Sequence, residues 1–171
     1  MKKLIFLCFI ATALLISCST PIDTELTEEQ KAVIISEVGE KVDAIQLIIM
    51  QLNFEAWTEY WSENDFISVI SDIDFFDDLS VWEDSVANWW SGIESRSSAS
   101  SEKRITPLTL NLALVTRTNN GSAVLKNGEK FSYIHQGTTI WKKEESGWKI
   151  INLHESVQTN PIEDDQELEE E

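Results

Sequence analysis

The sequence predicts an α+β domain in which helices come first and an antiparallel sheet follows. In the first half of the chain, apolar residues recur at steps of three and four, the spacing of a helix that buries one face. In the second half, apolar and polar residues alternate, which is typical of strands with one buried face. Because the two periods occupy separate halves of the chain, the pattern favours the α+β class.

The first long helix is predicted to begin near Thr27. Thr27 and Gln30 have capping-box spacing, and Glu28 and Glu29 suit the positive end of the helix dipole. One apolar stripe then runs through Ile34, Val38, Val42, Ile45, Ile49 and Leu52. Gly39 lies inside the stripe and costs about 1 kcal/mol relative to alanine, which weakens the helix without ending it.

Two further helical elements are predicted before the sheet. Asn53 is expected to break or bend the first helix. An aromatic helical turn follows, formed by Trp57, Tyr60 and Trp61. A second capping box at Ser80 and Glu83 predicts a helix near 81–91, and a loosely alternating run at 66–70 predicts a short strand before it. The apolar residues of the 81–91 helix are Val81, Val86, Trp89 and Trp90.

Three long strands are predicted to form an antiparallel meander. The first covers 108–115, and its apolar face consists of Leu108, Leu110, Leu112 and Leu114. The serine-rich segment 95–101 is predicted to be a loop. Turns are predicted at 119–121, at 127–128 and at 146–147, where the sequences Asn-Asn-Gly, Asn-Gly and Ser-Gly occur.

The last two strands each carry a histidine among apolar neighbours. The alternation places Phe131, Tyr133, His135, Gly137, Thr139 and Trp141 on one face of the second strand. It places Trp148, Ile150, Asn152 and His154 on one face of the third.

The N-terminus has the pattern of an export signal. Lys2 and Lys3 precede an apolar run over 4–16, which is too short to span a bilayer, and Ser17 and Cys18 follow. This arrangement resembles the lipobox of bacterial lipoproteins, in which the cysteine is acylated and becomes the mature N-terminus. The alternative is an ordinary secretory signal in which the cysteine occurs by chance. Cleavage before Cys18 would remove Cys8 as well, so the mature chain would contain no disulfide.

The sequence therefore divides into four segments. Residues 1–17 are predicted to be the signal peptide, 18–26 the lipidated cysteine and a tether, 27–158 the folded domain, and 159–171 an acidic disordered tail. The lipid on Cys18 would hold the protein to a membrane in the bacterial cell envelope, on the exported side, periplasmic or surface.

Charge excludes several partners. The formal net charge of −17 argues against nucleic-acid binding. The predicted loss of Cys8 and acylation of Cys18 would leave two histidines and no thiol, too few ligands for a Cys/His metal cluster. Residues 24–94 carry 17 acidic and two basic side chains, whereas 95–162 carry five acidic and nine basic ones. An acidic loop, with Asp72, Asp74, Asp77 and Asp78, lacks calcium-loop spacing and is predicted to be an exposed turn. We expect no metal and no cofactor.

The C-terminal sequence TTIWKKEESGWKIINLHES, residues 138–156, resembles the end of the SnoaL-like branch of the NTF2-like superfamily. The order of elements over roughly 27–158 is similar as well. The resemblance implies a cone, in which N-terminal helices pack on a strongly curved antiparallel sheet around a pocket. It also implies a homodimer through the sheet and a range of functions that includes isomerases, dehydratases, cyclases and proteins with no known reaction.

Two histidines are the candidate catalytic residues. If His135 and His154 both face the concave side, two imidazoles could transfer protons near neutral pH; alternatively each is a structural or surface histidine. Candidate pocket residues are Trp57, Tyr60, Trp61, Trp89, Asn111, Tyr133 and Asn152, although the tryptophans suit an ordinary core equally well. The predicted strands at 108–116, 131–141 and 148–154 contain no acidic residue, which counts against isomerase chemistry based on a buried carboxylate.

Two functions follow from these observations. The sequence favours a lipid-anchored module that binds a small apolar ligand or a second copy of itself, because the strands contain few ionisable groups. The alternative is an enzyme of the isomerase, dehydratase or cyclase type that uses a pocket histidine as a proton shuttle. The two functions differ in one requirement: an enzyme needs at least two polar groups within hydrogen-bond reach of each other in the pocket, and a binding module does not.

Overall fold

The computed structural model describes residues 25–162, and in it three helices and six strands form one α+β unit. The helices are α1 (Glu28–Met50), α2 (Phe54–Thr58) and α3 (Leu79–Ser91). The strands are β1 (Ser68–Ser71), β2 (Asp74–Phe76), β3 (Ile93–Thr109), β4 (Leu112–Leu125), β5 (Lys130–Glu144) and β6 (Gly147–Pro161). The predicted class and the early position of the helices are confirmed.

The strands form one curved, unclosed sheet in the order β2-β1-β6-β5-β4-β3. Strands β3 to β6 are an antiparallel meander, as predicted, but there are four of them instead of three. The sheet is mixed because β1 runs parallel to β6, with Ser68 opposite Asn152 and Ser71 opposite Glu155. This pairing brings the segment before α3 against the last strand.

Helix α1 lies across the concave face of the sheet. The predicted capping box at Thr27 and Gln30 is present, and the stripe residues Ile34, Val38, Val42 and Ile45 are buried. Polar contacts fix the helix to the sheet on its flanks: Glu37 accepts hydrogen bonds from Lys143 Nζ at 2.7 Å and from Trp148 Nε1 at 2.8 Å. The helix ends at Met50, so Leu52 of the predicted stripe lies beyond it, with a positive φ of 54°.

The starts of the two shorter helices are set by side chains that accept backbone hydrogen bonds. Asn53 lies shortly after the end of α1 and caps α2, since its side chain accepts from the Ala56 amide. The predicted cap at Ser80 is wrong: Asp78 caps α3 by accepting from the Ser80 amide at 2.8 Å. Part of the acidic loop therefore serves to start a helix.

The serine-rich segment 95–101 is a strand, not a loop. It belongs to β3, which pairs with β4 over its length, with register shifts near Ser98 and Pro107. The run 108–115 is not one strand either, because the chain reverses between β3 and β4 at Leu110 and Asn111. Pairing with β4 satisfies the backbone of this polar strand, and pairing, unlike composition, is not visible in the sequence.

Of the three predicted turns, two are confirmed and one is wrong. Gly128 and Gly147 have φ of 90° and 113° and lie in the two hairpin turns that flank β5. The segment 119–121 instead lies inside β4. A Cβ on Gly121 would lie 2.1 Å from the Ser97 carbonyl oxygen and 2.5 Å from Tyr133 Oη. Glycine is needed there because the Tyr133 hydroxyl donates to the Ser97 carbonyl directly above it, at 3.1 Å.

A bulge in β6 reverses the predicted faces of the last strand. Ile140 pairs with Asn152 and Trp141 with Ile150, so Ile151 is an extra residue. Beyond this bulge the odd-numbered residues of β6 face the concave side, whereas before it the even-numbered ones do.

The predicted signal peptide, Cys18 and most of the tether lie outside the described residues, as does nearly all of the predicted tail. Among residues 25–162, no helix combines the length and apolar character needed to cross a membrane.

Candidate functional site

A cavity of about 410 Å³ lies between the concave face of the sheet and the two short helices. Its walls combine an aromatic side with a polar side. The aromatic side is formed by Trp57, Trp61, Trp82, Trp89 and Trp90. The polar side is formed by Ser71, Asp72, Ser85, Arg96, His135, Thr139, Glu155 and Thr159.

The aromatic side is built around Trp57 of α2. Its ring centroid lies 5.4 Å from that of Trp61, 6.1 Å from that of Trp82 and 5.8 Å from that of Trp90. These four side chains are buried, whereas Trp89 is 46% exposed. The cluster therefore serves both as the core between the helices and as a wall of the cavity.

The polar side contains a buried histidine–carboxylate pair. His135 Nε2 lies 2.7 Å from Glu155 Oε2, and each side chain is 14% exposed. The two residues face the concave side from neighbouring strands, His135 from β5 and Glu155 from β6. His135 Nδ1 is buried and has no hydrogen-bond partner within residues 25–162.

Glu155 is the centre of a polar row that crosses the sheet. Ser71 Oγ donates to Glu155 Oε1 at 2.8 Å, and Gly137 separates Glu155 from Arg117 in the register. Burial raises the pKa of the Glu155 carboxyl, but the hydrogen bonds from His135 and Ser71 and the charges of His135 and Arg117 outweigh it. The pKa therefore lies below its ordinary value, and the carboxylate is ionised near neutral pH.

Arg96 forms the end of the cavity on β3. Its guanidinium carbon lies 4.9 Å from the Trp89 ring centroid and 5.0 Å from that of Tyr133, so the cation lies between two aromatic faces. Among residues 25–162, no carboxylate forms a salt bridge with it, and its Nε has no hydrogen-bond partner. Burial lowers the pKa of Arg96, although a guanidinium stays charged at neutral pH.

Unpartnered polar atoms concentrate at this cavity. In the described part of the chain, five buried side-chain nitrogens lack a hydrogen-bond partner, and four of them belong to residues that line it. These four are Trp61 Nε1, Trp82 Nε1, Arg96 Nε and His135 Nδ1. A buried polar group without a partner costs about 1–3 kcal/mol, so the polar groups beside this cavity are incompletely satisfied by residues 25–162, although the four nitrogens themselves are closed off from it.

The structure separates the two candidate histidines. His135 lies on the cavity wall, but His154 is exposed on the outer face, in a groove with Gln136, Thr138 and Ser156. The bulge at Ile151 is the reason, because it turns residues 152 and 154 outward and 153 and 155 inward. The two imidazoles therefore do not share one pocket.

Three of the seven candidate pocket residues line the cavity, and four do not. Trp57, Trp61 and Trp89 line the cavity. Tyr133 is buried beneath Arg96, and its hydroxyl is occupied by the Ser97 carbonyl. The remaining three lie elsewhere: Tyr60 packs on Trp141, Asn111 is exposed in the β3–β4 turn, and Asn152 bonds to Ser68.

The acidic loop has structural partners. Asp72 Oδ1 accepts from the Val157 amide at 2.8 Å, and Asp78 caps α3. Within residues 25–162, no three histidine, cysteine or acidic side chains lie close enough together to hold a metal ion.

Sequence reasoning missed Glu155, Ser71 and Arg96. Glu155 lies one residue beyond the predicted end of the last strand, which in fact continues to Pro161. Arg96 lies in the segment predicted to be a loop. An available signal was the tripeptide His154-Glu155-Ser156, because one of two neighbouring strand residues must face inward.

A mixed, curved sheet that encloses helices and an internal cavity with a histidine–carboxylate pair defines a cone-type α+β domain. The chain belongs to the SnoaL-like domain family, whose model matches residues 38–160. No curated protein sequence matches the chain.

Solved structures of the NTF2-like family have the same fold. A candidate dehydratase of that family from Streptomyces avermitilis is 17% identical, with a TM-score of 0.66 over 77% of this chain and 98% of its own. A candidate scytalone dehydratase from Novosphingobium aromaticivorans is 8% identical, with a TM-score of 0.70 over 80% and 93%. The hexachlorocyclohexane dehydrochlorinase LinA-type3 from Novosphingobium barchaimii is 12% identical, with a TM-score of 0.65 over 80% and 94%. At these identities the likeness concerns the fold alone.

Proposed function

We propose that this domain is a proton-transfer enzyme of the lyase or isomerase type, with His135 as the general base. The observation that carries the proposal is the 2.7 Å contact between His135 and Glu155 on the wall of an aromatic cavity. An enzyme requires two polar groups within hydrogen-bond reach of each other, whereas a module that binds an apolar ligand requires none. The names of the structural neighbours, which include a dehydrochlorinase, agree with this class of reaction.

The geometry gives each residue a role. The ionised Glu155 accepts a hydrogen bond from the Nε2–H group of His135 and so leaves the lone pair on Nδ1, which has no hydrogen-bond partner within residues 25–162. Nδ1 is closed off in this structure, so a movement of the ring exposes it to the cavity before it reacts. His135 Nδ1 then takes a proton from a substrate carbon, and the electron pair of the C–H bond forms a double bond to the neighbouring atom. In a lyase, a leaving group departs with its own bonding pair; in an isomerase, the imidazolium returns the proton to another carbon.

A substrate-independent probe tests this assignment. In 5-nitrobenzisoxazole, a base removes the ring C–H proton, a nitrile forms, the N–O bond breaks and a coloured phenolate is released. The full chain is expected to accelerate this elimination at pH 7. His135→Gln should remove at least about a hundredfold of the acceleration, the usual contribution of a positioned base.

His154→Gln is the matched control, because it changes the same residue type on the opposite face of the sheet. It is expected to leave the rate within about twofold of the original. No acceleration by the unmodified chain, or equal losses in the two variants, would overturn the proposal.

The aromatic wall supports a second candidate, a binding module that holds a flat apolar ligand without a reaction. It predicts that cell-derived small molecules stay bound in native mass spectrometry of the full chain while the benzisoxazole rate equals that of buffer. Dimerisation through the sheet stays a prediction, which the same spectra test by subunit mass.

We also propose that lipid on Cys18 anchors the protein to a bacterial membrane on the exported side. Support comes from the basic start, the apolar run 4–16 and the Ser17-Cys18 pair. Metabolic labelling with an alkynyl fatty acid is expected to mark the full chain and the control Cys8→Ser, but not Cys18→Ser. Equal labelling of both variants, or none of the unmodified chain, contradicts the anchor.

A further inference from the structure

Arg96 is a cation on the cavity wall for which residues 25–162 provide no salt-bridge partner. Its guanidinium is placed by the rings of Trp89 and Tyr133, and not by a salt bridge, within the part of the chain that the structure describes. The carboxylate of Glu155 belongs to the same cavity, but its two oxygens are already engaged by His135 and Ser71. The guanidinium of Arg96 is partly buried, and the charge of Glu155 favours its charged form without a salt bridge between them, so an anionic ligand group would give Arg96 a direct partner.

The chemistry of the guanidinium indicates which anion. A guanidinium is planar and presents its N–H donors as a fork that matches the two oxygens of a carboxylate. The indoles of Trp61 and Trp82 line the same cavity, and within residues 25–162 their N–H groups, which are closed off from it, also lack partners. All three residues offer donors only, so the complementary ligand group is one rich in acceptor oxygens.

The distance between Arg96 and the base suits a small molecule. Tyr133 lies under Arg96, and His135 is two residues further along β5 on the same face. Two residues of a strand span about 7 Å, so a short, flat acid can reach both positions. The aromatic wall then contacts the ring of such a ligand.

We propose that Arg96 binds the carboxylate of a small, flat, unsaturated acid and thereby selects the substrate of this cavity. The proposal differs from the expectation of a small apolar ligand, which stays a prediction. The placement of the reacting carbon at His135 rests on the proposed function. The binding of the acid by Arg96 does not depend on a reaction.

Cinnamate and its neutral isostere cinnamamide are suitable probes for the full chain, with binding measured by calorimetry and by tryptophan fluorescence. Cinnamate is expected to bind at least tenfold more tightly than cinnamamide. Arg96→Gln should weaken cinnamate binding by about tenfold to a hundredfold, the usual worth of hydrogen bonds to a charged group, and leave cinnamamide binding unchanged. Retained amide binding also shows that the variant is folded.

The matched control is Arg104→Gln, which makes the same charge change at an exposed position of the same strand. It is expected to preserve the preference for the acid, and Arg96→Lys, which keeps the charge but not the planar fork, should retain part of it. Equal affinity for acid and amide, or the same loss in Arg104→Gln, would overturn the proposal. His135→Gln is expected to keep the preference, so failure of the proton-transfer function and failure of the acid site give different results.

Discussion

The imidazole of His135 lies over Gly137, so close that a Cβ at position 137 would be 3.0 Å from His135 Cε1. The same Cβ would be 3.6 Å from the Cβ of Glu155. His135 therefore uses the space that a missing side chain leaves in β5, whereas Glu155 would be at an ordinary contact distance. This glycine is explained by the site and not by a turn, since it lies within a regular strand.

We predict that Gly137→Ala displaces the His135 ring and slows the benzisoxazole elimination by about tenfold to a hundredfold, since small misplacements of a catalytic group have large effects. The loss should appear in the rate at saturation, with the melting temperature changed by only a few degrees. Gly92→Ala provides a control, because a Cβ there meets only the Trp89 carbonyl oxygen, at 3.6 Å. An unchanged rate in Gly137→Ala would contradict the described position of the imidazole.

Glu155 gives the fold a pH dependence with a definite sign. Its pKa is lowered in the folded chain, so the ionised carboxylate stabilises the fold above the ordinary value of 4.5. This contribution is lost as the pH falls below 4.5 and through the folded value. In urea titrations from pH 7 to about pH 3, the difference in unfolding free energy between the unmodified chain and Glu155→Gln should shrink as the pH falls. A constant or growing difference would argue against an ionised Glu155 in the folded state.

Gly121→Ala is predicted to destabilise the domain by about 3 kcal/mol or more, in the upper range of overpacking effects. The added Cβ would lie 2.1 Å from a backbone oxygen of Ser97, so β3 and β4 must separate locally. Chemical denaturation measures the loss. Tyr133→Phe removes only the hydrogen bond to Ser97 and should cost about 1 kcal/mol. Similar small losses in the two variants would show that the close approach is wrong.

Two tryptophans of the cavity wall are expected to differ in their roles. Trp57 is 4% exposed, and its replacement by alanine should cost about 3–5 kcal/mol of unfolding free energy. Trp89 is 46% exposed, so Trp89→Ala should cost about 1 kcal/mol or less. Because Trp89 stacks on Arg96, its loss should still weaken cinnamate binding severalfold. Equal stability losses would contradict this division.

The helical half of the fold could be predicted well from sequence because its signals are local. The capping box of Thr27 and the stripe from Ile34 to Ile45 depend on residues a few positions apart, and the structure confirms both. The aromatic turn after Asn53 is confirmed only for Trp57, because α2 ends at Thr58 and Trp61 forms a β-bridge with Ile150. The start of α3 is shifted, because two neighbouring residues, Asp78 and Ser80, can both cap a helix.

The strand half was less predictable because its signals depend on partners that are distant in sequence. Gly121 looks like a turn residue, yet its role is set by Tyr133 and Ser97 on two other strands. The bulge at Ile151 has no local signal, and it decides that Glu155, and not His154, faces the cavity. His135 was identified because no bulge intervenes in β5. Of the polar pair, the sequence therefore identified His135 as a candidate but not Glu155.

Strand β3 is one open edge of the sheet, and its serine-rich sequence has a consequence for how copies of the protein meet. An unpaired edge is a template on which a strand of another molecule can add, and large apolar side chains there promote stacking into fibrils. Residues 95–104, SRSSASSEKR, contain none. The serine-rich composition, which led to the wrong prediction of a loop, therefore also disfavours edge-to-edge aggregation of neighbouring molecules.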